Sequence, residues 1–174
     1  MTVPLTRRSR PLSTLLLLAT AGLLSFPAGA EPPPAKPQPE PIYDIYASGT
    51  LALKAMEQAA IEKNKRILAN FGTNDCALCV TFASAMQGTR AFEAALAEQF
   101  FVVWIDVSPG SPNEQLLKAN GIDASKGLPA VVVIDVVSGT SDFFREGEAA
   151  EAARKGPEAV RTFLLKLFRA TPTK

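Results

Sequence analysis

The sequence contains no histidine. That absence removes every Ser–His and Cys–His hydrolase, and any metal site that needs an imidazole ligand. Cysteine is almost absent too: the 174 residues hold 2, Cys76 and Cys79. No lipobox cysteine closes the apolar leader, which excludes lipid attachment there. There is no internal repeat, so one domain is expected. Neither sign of charge dominates, with 18 basic and 17 acidic residues. Taking away the 3 arginines of the first 30 residues leaves 15 basic against 17 acidic, a net of −2. The basic residues do not cluster, so nothing points to nucleic acid. An apolar content of 47% is enough for a packed core.

Residues 1–30 have the layout of a secretory signal peptide. Arg7, Arg8 and Arg10 make a charged start, Leu15 to Leu24 an apolar stretch, and Ala28-Gly29-Ala30 a small-x-small cleavage site. The mature chain is expected to begin at Glu31 in the periplasm, with an uncleaved anchor as the alternative. The apolar stretch is shorter than an ordinary spanning helix. Arg10 stands where a twin-arginine signal takes an apolar residue, so general secretion is expected. Residues 31–41 (EPPPAKPQPEP) cannot form a core and read as an extended proline-rich linker, a spacer rather than a ligand for a proline-binding partner.

The two cysteines sit three apart, after a short apolar run with the length of a buried strand. Beyond them Leu78, Phe82 and Met86 recur at helical spacing. The pair therefore lies where a strand ends and a helix begins. The unpaired N–H groups and dipole of a helix's first turn favour negative charge, so a thiol there ionises more easily. A thiolate is the nucleophile of disulfide exchange, and a second thiol one turn on can resolve the mixed disulfide.

At these residues the chain resembles the thioredoxin family, and in particular its secreted bacterial branch, through Phe71-Gly72-Thr73-Asn74-Asp75-Cys76-Ala77-Leu78-Cys79. A bare CxxC also occurs in metal sites and structural staples. A second landmark supports the resemblance: Lys126-Gly127-Leu128-Pro129-Ala130, followed by the β-branched run Val131 to Ile134. The resemblance extends over roughly residues 45–168. It implies an α/β thioredoxin fold for residues 42–170, with a mixed central sheet and helices on both faces. It implies a redox disulfide between Cys76 and Cys79 as the catalytic pair, with Cys76 attacking. It also implies a cis bond before Pro129, with Leu128 and Pro129 binding an extended substrate chain.

The patterning predicts the following elements. A first helix covers 50–64, with Leu53, Met56 and Ala60 on one face. A strand follows at Arg66 to Phe71, then the helix from Cys76 to Gln87, which Gly88 breaks. A short helix carries Phe92 and Leu96, and Phe100 to Val107 is a second buried strand. Ser111-Pro112-Asn113-Glu114 reads as a capping box opening a helix that Gly121 ends. Ala130 to Val136 forms a hairpin with Asp142 to Arg145. Glu146 to Lys155 is helical by composition but would be edge strand and loop in a thioredoxin. Pro157 starts a last helix with Val160, Phe163, Leu164, Leu167 and Phe168 on its face.

Three positions depart from the family. Asn70 replaces a buried aspartate that moves protons; an amide can satisfy the same buried hydrogen bonds. Asp75 replaces the usual tryptophan before the first cysteine. Its carboxylate either disfavours the Cys76 thiolate, and so modulates that thiol's pKa, or caps the helix. Trp104 stands in place of a lysine and reads as core rather than as a substrate platform.

The main reading is a periplasmic thiol–disulfide oxidoreductase acting on protein thiols or disulfides. It needs no cofactor and no metal, and a monomer is expected. One alternative is a non-catalytic binding module with a structural disulfide. Another is Cu(I) held by the two thiolates alone. Ala77 and Leu78 offer no polar donor, and Asp75 adds a negative charge. The disulfide form is thereby favoured and a reducing role expected, with a membrane-embedded electron donor as partner.

Overall fold

Seven consecutive residues, Arg66–Gly72, are all buried and form the central strand β1. A strand buried on both faces requires layers above and below it, and helices supply them here. The computed structural model describes residues 40–143 and 147–170. The expected signal peptide, the linker as far as residue 39, and Arg145 at the end of the expected edge strand lie outside the described residues.

Strand β2 (Phe100–Asp106) runs parallel to β1, from Arg66↔Phe100 to Gly72↔Asp106. On the other side of β1, β3 (Ala130–Asp135) pairs antiparallel, from Phe71↔Ala130 to Ile67↔Ile134. Strand β4 (Thr140–Phe143) completes a sheet of order β2-β1-β3-β4. It begins earlier than the hydrophobic pattern predicts because the hairpin turn is tight. The Asp135 carboxylate accepts the N–H groups of Val137 (3.0 Å) and Ser138 (3.1 Å), and Gly139 takes a positive φ of 69°.

Alternate residues of β1 feed two cores. Ile67, Ala69 and Phe71 join Val103, Ile105 and Val132 beneath α1 (Gly49–Lys63) and α4 (Glu114–Ala119). Leu68, with Phe100, Val131 and Val133, meets α2 (Ala77–Met86), α3 (Arg90–Gln99) and α6 (Pro157–Ala170) on the other face. Phe82 of α2 packs edge-on against Phe163 of α6, their centroids 6.0 Å apart.

One expectation is corrected and one open reading is decided. The capping box at Ser111 does not form. Ser111 Oγ donates to the carbonyl of Asp106 (2.9 Å) and accepts the N–H of Asn113 (3.1 Å), so the hydroxyl serves the end of β2 and a tight turn ahead of the helix. The helix begins later, with Asn113 at its N-cap and no side-chain cap. Asn113 cannot serve its own helix because it serves three other groups. Its Oδ1 accepts Gly49 N–H (2.7 Å), and its Nδ2 donates to the carbonyls of Ala47 (2.9 Å) and Asp106 (3.0 Å). The stretch Glu146 to Lys155, left open between helix and edge strand, is settled for the described residues in favour of its composition. Residues Glu148–Lys155 form a helix, α5, and not an edge strand. Ala149, Ala150, Ala152 and Ala153 are buried there, and alanine is both the best helix former and small enough for close packing. A Cβ on Gly127 would lie 3.1 Å from that of Ala150, so this helix backs the loop that leads to Pro129.

Candidate functional site

The chain leaves β1 at Gly72, turns through Thr73-Asn74-Asp75, and enters α2 at Ala77. Cys76 is the N-cap of α2, with extended backbone (φ −87°, ψ 105°), and its Sγ accepts the backbone N–H of Cys79 at 3.1 Å. Cys76 and Cys79 are disulfide-bonded, with Cα atoms 5.1 Å apart. Cys76 is half-buried and Cys79 has no exposed surface, so only the first sulfur lies near solvent. An N-cap sulfur that already accepts an amide hydrogen is a place where a thiolate is stabilised when the bond opens.

The Leu128–Pro129 peptide is cis. The carbonyl oxygen of Leu128 lies 3.8 Å from Cys76 Sγ, Leu128 is half-buried and Pro129 buried. Residues 52 positions apart therefore meet at the disulfide.

Asp75 is exposed and lies outside the helix cap. The capping alternative for Asp75 is thereby corrected: Cys76 occupies the N-cap, and its sulfur does the capping. Asn70 is wholly buried, and its Oδ1 accepts the phenol of Tyr43 at 3.1 Å. Its Nδ2 faces Met86 Sδ at 4.0 Å. The amide thus keeps hydrogen-bond partners in the core without carrying charge. Trp104, opposite Asn70 in β2, is partly buried and meets the Tyr43 ring edge-on at 5.6 Å.

The patterning does not reveal Tyr43, 27 residues before Asn70. It is fully buried at the site, and its hydroxyl lies where a side chain on Gly72 would sit. Its backbone is held by Asn74: Tyr43 N–H donates to Asn74 Oδ1 (3.1 Å), and Asn74 Nδ2 donates to Tyr43 C=O (2.7 Å). Burial, and secondarily the charge of Asp106, push the Tyr43 phenol well above its ordinary pKa, so it stays protonated and remains a donor. Asp106 is itself buried. One of its oxygens accepts from the N–H (3.2 Å) and hydroxyl (2.6 Å) of Ser108, and the other has no hydrogen-bond partner among the described residues.

A disulfide at a strand-to-helix junction, one sulfur toward solvent and facing a cis-proline loop across a mixed sheet, defines a protein of the dithiol–disulfide class. The fold is that of the thioredoxin-like superfamily, and a family model described as thioredoxin-like matches residues 51–136. A disulphide isomerase from Xylella fastidiosa Temecula1 is similar in structure, with a TM-score of 0.65 and 29% identity, over 73% of this chain and 96% of that one. The C-terminal domain of DsbD from Neisseria meningitidis, in its oxidised form, gives a TM-score of 0.44 at 23% identity, over 65% of this chain and 99% of that one. Its reduced form gives 0.42 at 28%, over 62% and 96%. No curated protein matches the chain.

Proposed function

We propose that the protein is a thiol–disulfide oxidoreductase of the periplasm that works on the reducing side through Cys76 and Cys79. The observation that carries this reading is the placement of Cys76 Sγ, at the N-cap of α2 and receiving the Cys79 N–H at 3.1 Å, beside the Leu128 carbonyl. The similarity to a disulphide isomerase at 29% identity supports it.

In the reduced protein the Cys76 thiolate attacks one sulfur of a substrate disulfide. The other substrate sulfur leaves as a thiolate and takes a proton, and a mixed disulfide to Cys76 remains. Cys79 then loses its proton and attacks Cys76 Sγ, which releases the second substrate thiol and restores the Cys76–Cys79 disulfide. Two electrons pass to the substrate. The backbone of Leu128, next to Pro129, holds the substrate chain in extended form by strand-like pairing. Ala77 and Leu78 give the thiolate no donor of their own, and Asp75 sets a negative charge next to it. Both favour the disulfide form, so the dithiol gives electrons readily. A two-electron donor must then restore the dithiol, and a membrane-embedded protein thiol fits a compartment without a soluble reductant pool. Export follows from the charged start, apolar stretch and small-residue site of the first 30 residues.

Reduction of a protein disulfide by the purified chain, with dithiothreitol as donor, tests this function. Turnover is expected in the wild type and its loss in Cys76→Ala. Cys79→Ala is expected to accumulate mixed disulfides through Cys76. Absence of both turnover and mixed disulfide would leave a binding module with a static bridge.

A further inference from the structure

We propose that Tyr43 is a positioning residue of the dithiol centre: it is latched onto the loop that presents Cys76, and the latch sets how well that sulfur is stabilised as a thiolate. The proposal rests on the oxidoreductase reading for its purpose, but not for its measurement.

Four independent contacts of Tyr43 converge on the route from β1 to Cys76. The hydroxyl donates to Asn70 Oδ1 inside β1. The ring sits against Gly72, the last residue of the strand, where a Cβ would come within 2.5 Å of the ring carbon bearing the hydroxyl. The two backbone groups of Tyr43 are both taken by the side chain of Asn74, two residues before the cysteine. The edge-on contact with Trp104 fixes the ring from the β2 side. Asn74 acts here as a strand partner would, accepting one N–H and donating to one carbonyl of the same residue.

The loop needs such support because it has little of its own. Between Gly72 and Cys76 the backbone bond that closes the turn is Cys76 N–H to Thr73 C=O, at 3.3 Å. That loop must hold Cys76 in extended conformation, out of the helix, so that Sγ turns back to the N–H of Cys79. The amide-to-sulfur bond is the only hydrogen bond to Cys76 Sγ from a donor among the described residues. If the loop drifts, the cap geometry goes first, and with it the charge-assisted bond that favours the thiolate. Loss of the latch therefore raises the Cys76 pKa and weakens the reduced form.

The test uses the chain with residues 31–174 and three variants: Asn74→Ala, Tyr43→Ala and Tyr43→Phe. The Cys76 pKa is read from thiolate absorbance against pH. The couple is read by equilibration with glutathione, in which the protein disulfide gains two electrons and two protons as two glutathione thiols become glutathione disulfide. Asn74→Ala and Tyr43→Ala are expected to raise the pKa by about one unit and to shift the equilibrium toward the protein disulfide by up to about tenfold. Tyr43→Phe keeps the ring and the backbone clasp, and is expected to restore both quantities. Val160→Ala, a core truncation in α6, serves as the control for lost stability alone and is expected to move neither.

Unchanged pKa and equilibrium in both alanine variants, with lowered melting temperatures, would overturn the proposal and leave Tyr43 a core residue. A shift in Val160→Ala equal to that of Asn74→Ala would overturn it as well. If Tyr43→Ala fails to fold, Asn74→Ala decides, since it cuts only the clasp. A wild-type couple that never equilibrates with glutathione would refute the oxidoreductase reading instead.

Discussion

Residues 70–79 and residues 42–48 meet at one site, yet they reach it by opposite routes. The first segment carries its instructions locally. An apolar strand, a glycine, an asparagine and two cysteines at helical spacing dictate a strand, a turn and a helix start within ten residues. The second segment has no regular structure before Gly49 and no motif. Its place is set by partners far away: Asn74 and Asn70 through Tyr43, and Asn113 through Ala47 and Gly49. The difference shows that a site legible as a motif can depend on a segment that is not.

Gly72→Ala strikes where the two segments touch and should have the largest effect. Its Cβ would lie 2.3 Å from the Tyr43 oxygen, a distance that backbone and ring must both yield to. A loss of about 1–3 kcal/mol in chemical denaturation is expected, as for other overpacked positions. The loss should shrink in a Tyr43→Ala background, where the obstacle is gone. Additive losses in the double variant would break the link between the segments.

Asp75→Asn addresses the first segment alone. Removing the carboxylate beside Cys76 takes away a charge that disfavours the thiolate, so the pKa of the thiol should fall. One unit corresponds to about 1.4 kcal/mol. At a pH where the thiolate forms, the reduced protein gains stability and the potential moves upward, by up to about 30 mV for a two-electron couple. Thiolate absorbance against pH measures the first effect and glutathione equilibration the second. Since Asp75 is not the N-cap, the melting temperature should hardly change. An unchanged Cys76 pKa would remove Asp75 from the case for a reducing site.

Ser48→Ala addresses the second segment alone, away from the cysteines. Ser48 caps α1 by accepting Leu51 N–H at 3.4 Å, a long bond at an exposed helix end. A loss of about 0.5 kcal/mol is expected, at the low end for N-caps, with no change in the Cys76 pKa. A pKa shift here would extend the latch to the whole segment and blur the contrast with Tyr43.

The legible parts were those whose physics is local. Arg66–Gly72 is an uninterrupted run for a doubly covered strand, and the cysteine spacing sets the start of α2. The periodic face of α6, with Val160, Phe163, Leu164 and Leu167 buried, follows from a 3.6-residue repeat that needs no partner to be recognised. The capping box at Ser111 failed because serine and asparagine side chains can serve either a helix or a neighbouring strand. Which of these wins depends on what stands within reach, here the carbonyl of Asp106. Residues 148–155 were undecidable for a related reason. An alanine-rich stretch favours helix intrinsically, but it is kept as one by burying its alanines against α2 and α6, a packing that distant residues supply.

By itself, then, the sequence determined the α/β class and the junction that holds Cys76 and Cys79. These depend on hydrophobic period, turn chemistry and spacing, all of which act over a few residues. The tertiary structure alone decided that Cys76 caps its own helix, that Asn70 is paired with a phenol, and that Tyr43 is clasped by Asn74. The last two join residues 27 and 31 positions apart, through one hydrogen bond and two, and the need to satisfy buried polar groups selects such partners only after the chain has collapsed.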